Sequence, residues 1–190
     1  MSKPVIIDIG PGPNPKPDAT VCVDLYEWPT VKAETVIHNI RHFPYPFATD
    51  HADKIYLCDV IEHVTVFDAP KVLREINRIL KPGGVFDISC PDVLWIMERI
   101  VKDDWFEQTK GAEWLRSSSN SWDNAMDYLF GGWRHPIEYK IPGMGHVNGF
   151  NEEILKRLLA DSGFKDIRRV PDTSNPEPAN ASVLKILATK

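Results

Sequence analysis

Residues 5–14 read Val-Ile-Ile-Asp-Ile-Gly-Pro-Gly-Pro-Asn, and this stretch decides the fold. The apolar run Val5–Ile7 is typical of a buried parallel strand, and it leads into a loop rich in glycine and proline. Gly10 and Gly12 allow the backbone to turn sharply and to approach a ligand closely. A lone G-x-G pair is also typical of a plain tight turn. Pro15 stands where the dinucleotide-binding fingerprint G-x-G-x-x-G has its third glycine, so that fingerprint is not met.

Six more strand patterns follow, and they predict an α/β sheet. They cover residues 20–23, 34–38, 54–58, 85–90, 164–170 and 182–188. Only eight residues separate Gly12 from Val21, and ten separate Asp24 from Thr35. Neither gap holds a full helix with its loops, so we expect loops or single turns to cover the first half of the sheet.

Two helices have clear apolar faces. In the first, Asp68 is expected to cap the start and Lys71 to pair with Glu75, four residues on. The Lys81–Gly84 turn is expected to end this helix, with a glycine in the left-handed conformation. The second is predicted over 151–162.

The stretch 91–150 holds five of the six tryptophans and is predicted to be a helical, aromatic-rich insertion. Two interpretations stay open for its aromatic residues. They form either the core of a small helical cap or a platform that stacks on a sugar or another planar group. As a lid, the insertion would close over substrate.

The composition indicates one domain with a single sizeable core. The chain has 190 residues, is 43% hydrophobic and carries a net charge of −5. No long basic run is present, which disfavours nucleic acid as a partner. Three widely spaced cysteines suit free thiols in a reducing compartment, and no paired spacing predicts a metal site. Without a signal peptide or an apolar run of spanning length, we expect a cytoplasmic protein.

Asp24 lies at the carboxyl end of the second predicted strand. A carboxylate at this place is suited to accept both hydroxyls of a ribose. The alternative is an aspartate that only caps a turn. Together with Gly10 and Gly12, the position favours the ribose role.

Four segments in order resemble class I S-adenosylmethionine-dependent methyltransferases. They are IIDIGPGP (6–13), VDLY (23–26), FPYPFATDHADKIYLCDVIEHV (43–64) and LREINRILKPGGVFDISCPD (73–92). Downstream, YLFGGWRHP (128–136) and GHVNGFNEEILKRLLADSGFKDIR (145–168) are similar to a bacterial subgroup of predicted methyltransferases. The resemblance implies a Rossmann-like, mostly parallel sheet whose last strand is antiparallel, and S-adenosylmethionine as the cofactor.

The resemblance also implies roles for individual residues. Asp8, Gly10 and Gly12 would contact the methionine part of the cofactor, and Asp24 would hold the ribose. Leu25 would flank the adenine, and Asn39 would accept a hydrogen bond from its amino group. Cys58 and Asp59 would lie under the cofactor. Because prolines stiffen the glycine loop, we expect it to bind the cofactor through backbone amides, with little help from a helix dipole.

Histidines are the candidate general bases, since their side chains titrate near neutral pH. The candidates are His63, which follows a strand end, and His135 and His146, which lie in glycine-rich loops. Glu62, Trp133 and Arg134 are the candidate substrate residues; the arginine suits a carboxylate or phosphate.

We therefore expect a methyltransferase that acts on a small-molecule or glycan-type acceptor. A catalytically silent cofactor-binding subunit, with a regulatory or scaffold role, is the alternative, and a nicotinamide oxidoreductase is a distant third. The short connections early in the sheet leave the cofactor poorly enclosed. Either homodimerisation or closure by residues 91–150 would complete the enclosure.

Overall fold

A seven-stranded mixed sheet forms the body of the protein. The computed structural model describes residues 3–112, 115–116, 118–131, 145–174, 177 and 179–190. The strands are β1 (Ile6–Ile9), β2 (Val21–Asp24), β3 (Glu34–Ile37), β4 (Ala52–Cys58), β5 (Leu80–Pro91), β6 (Lys165–Arg169) and β7 (Val183–Thr189). Their order is β3-β2-β1-β4-β5-β7-β6, and only β7 runs opposite to its neighbours. This arrangement confirms the predicted Rossmann-like sheet with an antiparallel last strand.

The strand order reverses between β1 and β4. The chain runs outward from β1 through β2 to β3, and then returns to place β4 on the other side of β1. In open α/β sheets, the crevice beyond the carboxyl ends of strands at such a switch point is where ligands bind. The glycine loop after β1 and Asp59 after β4 therefore lie side by side at this edge.

The two faces of the sheet differ in polarity because the central strands alternate. Ile7, Ile55 and Phe86 point into one face and are fully buried. This face packs against the helices α1 (Ala69–Ile79) and α5 (Glu152–Asp161). The opposite face carries Asp8, Tyr56, Asp87, Ser89 and Lys185.

Loops cover part of the polar face, as the short gaps in the sequence predict. Residues 10–20 and 25–33 contain no helix. Tyr56 donates to the Asp18 carboxylate at 3.0 Å, and the Asp8 carboxylate accepts from the Lys16 amide at 2.7 Å. The polar residues on this face thus take the place of the apolar contacts that a covering helix needs.

Details at both ends of α1 differ from expectation. Asp68 makes no side-chain cap bond to the helix, and Leu80 after the last turn is already extended. Residues 81–84 instead form a bulge within β5, where Gly83 has a φ of 77°. Lys71 pairs with Asp68 at 2.8 Å rather than with Glu75. Pairing with β4 fixes the bulge, and a local sequence pattern does not reveal this pairing. Asp68 and Arg78 compete with the predicted partners for Lys71 and Glu75.

The predicted insertion is helical in the part that the structure describes. Its helices are α2 (Val93–Lys102), α3 (Trp105–Gln108) and α4 (Ser121–Leu129). They enclose a second, smaller core around Trp105, whose ring packs edge-on against Trp95 and Tyr128. Trp122 is exposed on the surface. Core packing therefore accounts for two of the three tryptophans that the structure describes in this stretch, and Trp114 and Trp133 lie outside the described residues.

The cysteines are unpaired, as expected: Cys22 and Cys90 are buried and Cys58 is half-buried. Across the described part of the chain, no helix is both long and apolar enough to cross a membrane.

Candidate functional site

The glycine loop is shaped by two residues in the left-handed region. Gly10 has a φ of 70°, and a Cβ there would lie 2.6 Å from the side chain of Val60. Gly12 has a φ of 56°, and a Cβ there would meet only open space. Gly10 thus allows the loop to approach the segment after β4, whereas Gly12 leaves room in front of the loop.

The amides of this loop are used within the protein, in contrast to the expectation from the sequence. Gly10 donates to the Val23 carbonyl at 2.7 Å, and Gly12 donates to the Asp24 carboxylate at 3.1 Å. Asn14 donates to the Pro11 carbonyl at 3.3 Å. Because Pro11 and Pro13 have no N–H, residues 10–14 present no unused backbone amide to a ligand.

A cavity of about 360 Å³ opens in front of the loop, and we refer to it as the glycine-loop cavity. Its volume lies within the range of about 300–1,000 Å³ that is usual for ligand sites. Six of the eight residues expected to bind a cofactor line it. They are Gly10, Gly12, Asp24, Leu25, Asn39 and Asp59. Val60, Ile40 and Val64 add apolar surface.

Asp24 acts as a turn aspartate and also lines the cavity. Its carboxylate accepts from the Gly12 amide, from the Tyr26 amide at 3.2 Å and from the Trp28 indole at 3.2 Å. A carboxylate has about four acceptor sites, so it can still accept from a ligand hydroxyl. Tyr26 and Trp28 were not identified from the sequence as residues of the site. Their position two and four residues after the strand-end aspartate was the signal that could have indicated them.

Leu25 and Asn39 lie on the same cavity wall as Asp24. Half of the Leu25 surface is exposed, which leaves an apolar face open to the cavity. The Asn39 carboxamide oxygen accepts from the Arg41 amide at 3.0 Å. Since a carbonyl oxygen has two lone pairs, one acceptor position remains.

The other two predicted cofactor residues lie elsewhere. Asp8 is buried beneath the loop and lines neither cavity; burial raises the pKa of its carboxyl. Cys58 lines the second cavity instead, and burial raises the pKa of its thiol.

The second cavity, which we call the polar cavity, measures about 460 Å³ and lies between the sheet edge and the insertion. Acidic groups on its wall are Asp59, Glu62, Asp127 and Asp172, and basic groups are Lys16 and Lys185. Asn124 and Tyr128 reach it from α4. Most of these residues come from separate elements, so no local sequence motif predicts that they line one cavity.

Asp59 and His63 line both cavities and so form the wall between them. Asp59 has a φ of 55°, an uncommon conformation for a residue with a side chain. Its amide donates to the Ser89 carbonyl at 2.9 Å, which holds the backbone in place. The residue is exposed to solvent.

Glu62, His63 and His146 form a cluster at the polar cavity. Glu62 is 2% exposed, and its Oε1 lies 3.8 Å from Nε2 of His146. The rings of His63 and His146 meet edge to face, with centroids 5.0 Å apart. Burial raises the pKa of Glu62 well above its ordinary value. Burial, together with the neighbouring His63, lowers the pKa of His146 to about 4.

The structure thus brings together five of the candidates: Asp59, Glu62, His63, His146 and Cys58. The other catalytic candidate, His135, and the substrate candidates Trp133 and Arg134 lie outside the described residues.

Comparison with known proteins gives a consistent result. Residues 3–169 match the model of a methyltransferase domain family. Of the curated proteins, none matches the chain.

Solved structures of similar fold include a SAM-dependent methyltransferase from Archaeoglobus fulgidus, with a TM-score of 0.59 and 15% identity over 98% of this chain and 86% of that one. An S-adenosylmethionine-dependent methyltransferase from Mesorhizobium loti has a TM-score of 0.57 and 14% identity, and the match covers 100% of this chain and 94% of that one. The Burkholderia thailandensis 1,6-didemethyltoxoflavin-N1-methyltransferase has a TM-score of 0.57 and 17% identity, and the match covers 98% of this chain and 71% of that one.

Proposed function

The chain belongs to the methyltransferase domain family and takes S-adenosylmethionine as its cofactor, and from this premise we propose that it methylates a small polar acceptor of the small-molecule or glycan type. One observation carries the proposal. Two cavities meet at a shared wall of Asp59 and His63, and only one of them has the features of a cofactor site.

We assign the cofactor to the glycine-loop cavity because its residues fit the parts of the molecule. The Asp24 carboxylate retains an acceptor position for a ribose hydroxyl, and the open space before Gly12 admits the methionine chain. Leu25 offers an apolar face to the adenine ring, and Asn39 retains an acceptor position for its amino group. When bound, the cofactor supplies an electrophilic methyl group on a positively charged sulfur.

We assign the acceptor to the polar cavity. Asp127 contributes a buried carboxylate oxygen that has no hydrogen-bond partner among the described residues. Lys16 and Lys185 add positively charged hydrogen-bond donors to the wall of the same cavity. Such a wall favours an acceptor with several hydroxyl or amino groups over a purely apolar one, because buried polar groups require partners.

The shared wall is where methyl transfer would take place. Positioning of the acceptor against the methyl group supplies much of the rate enhancement in such a reaction. His63 faces both cavities, and burial lowers the pKa of its ring, so the ring is neutral at pH 7. Of the proposed histidines that the structure describes, His63 and His146, His63 is therefore the better placed to contact the acceptor.

Calorimetric titration with S-adenosylmethionine tests the cofactor assignment. We expect one site per chain, and a loss of affinity of about tenfold or more for Asp24→Ala, since tenfold corresponds to about 1.4 kcal/mol. Asp18→Ala, at a half-exposed loop aspartate that lines neither cavity, serves as the control and should bind normally. A titration without binding would contradict the proposed function.

Transfer of a labelled methyl group to pooled acceptors tests the reaction. We expect label in pools of sugars and amino sugars, and little in a pool of apolar aromatic compounds. Label in the apolar pool alone would contradict the acceptor class. Cofactor binding without transfer to any pool or cell extract would favour the silent regulatory or scaffold subunit instead.

A further inference from the structure

A buried carboxylate without a partner marks the cluster at the polar cavity. Both oxygens of Glu62 are inaccessible to solvent, and neither has a hydrogen-bond partner among the residues described. The nearest polar group, Nε2 of His146, is 3.8 Å away, which is too far for a hydrogen bond. A buried acid in this position is destabilising unless something else satisfies it.

Both neighbouring histidines are held by backbone carbonyls. Nδ1 of His146 lies 3.1 Å from the Leu129 carbonyl oxygen, and Nδ1 of His63 lies 3.3 Å from the Gly145 carbonyl oxygen. Because a carbonyl oxygen only accepts, each Nδ1 carries the ring proton. Each Nε2 therefore presents a lone pair.

The backbone reinforces this orientation. The end of α4 surrounds the His146 ring, since a Cβ on Gly131 would lie 2.5 Å from it. The Glu62 carbonyl accepts from the amides of Val147 and Asn148, at 2.9 and 3.1 Å. The segment after β4 and the segment that carries His146 are thus fixed to each other. Carbonyls that orient imidazoles in this way are usual behind metal-ligating histidines.

We propose that Glu62, His63 and His146 bind a divalent first-row transition-metal ion at the polar cavity. One ligand atom from each residue lies within 4.8 Å of the other two. A tetrahedral ion about 2.1 Å from each donor separates the donors by about 3.4 Å, so small side-chain movements close the site. This proposal departs from the expectation, based on cysteine spacing, that no metal is bound.

The donor set determines the kind of ion. Two imidazole nitrogens and one carboxylate suit Zn²⁺, Fe²⁺, Co²⁺ or Mn²⁺, whereas Mg²⁺ and Ca²⁺ prefer oxygen ligands. Three protein ligands leave at least one coordination position open, and here it faces the polar cavity. On the proposed function, this position would hold an oxygen or nitrogen of the acceptor.

Titration of the chelator-treated protein with Co²⁺ and Zn²⁺ tests the site. We expect one ion per chain, visible absorption bands from bound Co²⁺, and displacement of Co²⁺ by Zn²⁺ but not by an equal concentration of Mg²⁺. Glu62→Gln and His146→Ala should each lower the affinity by at least about 30-fold. The exposed-histidine control His42→Ala should retain it. Absence of binding, displacement by Mg²⁺, or an equal loss in the control would overturn the proposal.

Thermal unfolding separates metal ligation from a structural role of Glu62. In chelator, Glu62→Gln should unfold at nearly the same temperature as the unmodified protein, because a carboxamide has the same shape as the carboxyl that it replaces. At a Zn²⁺ concentration about 100 times the dissociation constant, the unmodified protein should gain about 5–10 °C, and the variant should gain little. An equal gain in both would contradict ligation by Glu62.

A second variant probes the orientation of His146 without removing a ligand. Gly131→Ala would displace the ring, and we expect it to weaken Co²⁺ binding by about 10–100-fold, as changes behind metal ligands do. Unchanged binding would contradict the assignment of His146. Since these readouts need neither cofactor nor acceptor, a protein that binds metal but transfers no methyl group would contradict the proposed function alone.

Discussion

At the scale of single residues, Asp59 combines an unusual backbone with a central position. It has a positive φ, and it lies where the two cavities meet. Strained conformations of this kind cost about 1 kcal/mol or more and persist where the surroundings enforce them. Here the strand end and the Ser89 carbonyl hold the backbone. The carboxylate is thereby directed to the place where the sulfonium of the cofactor is proposed to lie.

Asp59→Asn should therefore change the selectivity between cofactor and product. The positively charged S-adenosylmethionine should lose about tenfold in affinity, and the uncharged S-adenosylhomocysteine should lose much less, because only the former is attracted by the charge. Calorimetric titration of both ligands measures the ratio.

The matched control is Asp50→Asn, at an exposed aspartate with a φ of 56°. It has the same backbone conformation, lies in neither cavity, and should leave both affinities unchanged. Equal losses for the two ligands in Asp59→Asn would contradict a charge interaction at the sulfur.

Residues that follow strand ends were accessible to prediction, and others were not. Asp24, Asp59 and His63 follow strand ends in a recognisable order, and the structure places them on the cavity walls. The amides of Gly10 and Gly12 were expected to face a ligand. Their actual acceptors lie on β2, which is distant in sequence. Competition between acceptors of this kind is decided only when the strands pair.

At the scale of elements, α1 is joined to the segment before β4 by one partly buried ion pair. Glu75 accepts from the Tyr45 amide at 2.6 Å and from Arg78 at 2.7 Å. Arg78 also donates to the Phe47 carbonyl at 2.9 Å. Hydrogen bonding from Arg78 lowers the pKa of the Glu75 carboxyl. A carboxyl with a lower pKa in the folded state stabilises the fold at pH values above its unfolded pKa.

Glu75→Gln should accordingly lower the free energy of unfolding by about 1–2 kcal/mol at neutral pH, since a charged partner is lost from a partly buried network. The difference from the unmodified protein should shrink as the pH falls below the ordinary pKa of the carboxyl, and it should disappear once the pH is also below the lowered native pKa, where the native carboxyl is protonated as well. Urea denaturation at several pH values measures both effects.

Lys71→Gln is the matched control, because Lys71 and Asp68 form a pair of the same spacing at the start of the same helix. That pair is more exposed to solvent than the Glu75 pair. Its loss should have a much smaller effect on stability. A difference between Glu75→Gln and the unmodified protein that grows on acidification would contradict the assigned role of the ion pair.

At the scale of the whole molecule, the chain has two cores of unequal size. The large one lies between the apolar face of the sheet and the helices α1 and α5. The small one lies mainly in the insertion, where it contains Trp105, Ile96 and Ala125, and it also includes Ala179 from the segment before β7. The glycine-loop cavity borders the first core, whereas the polar cavity also depends on residues of α4. The two cavities thus rely on parts of the fold with separate interiors.

Trp105→Ala should therefore loosen the insertion and spare the sheet. Replacement of a fully buried tryptophan costs about 3–5 kcal/mol, and this cost should fall on the smaller core. Hydrogen exchange should show lost protection in α2 and α4 with little change in β1, β4 and β5. Titration with S-adenosylmethionine should be nearly normal. Equal loss of protection in both parts would contradict two separable cores.

The strands followed from their sequence patterns and the antiparallel last strand from the family resemblance, but the role of the tryptophans followed from neither. Apolar runs and turn residues locate strands because their pattern is local. Whether Trp105 is a core residue or Trp122 a surface one depends on how three short helices pack, and both have similar neighbours in sequence. The polar face of the sheet was nonetheless visible, since Asp8, Tyr56 and Asp87 alternate with apolar residues.

The shared wall of Asp59 and His63 also bears on the order of events in a catalytic cycle. Since, among the described residues, the two cavities share only these two, we expect that one can fill or empty while the other is occupied. Neither reactant then has to wait for the other, and no covalent enzyme species is required. Initial-rate plots at varied concentrations of both reactants should intersect, as for a random sequential mechanism, whereas parallel lines would indicate a substituted-enzyme route.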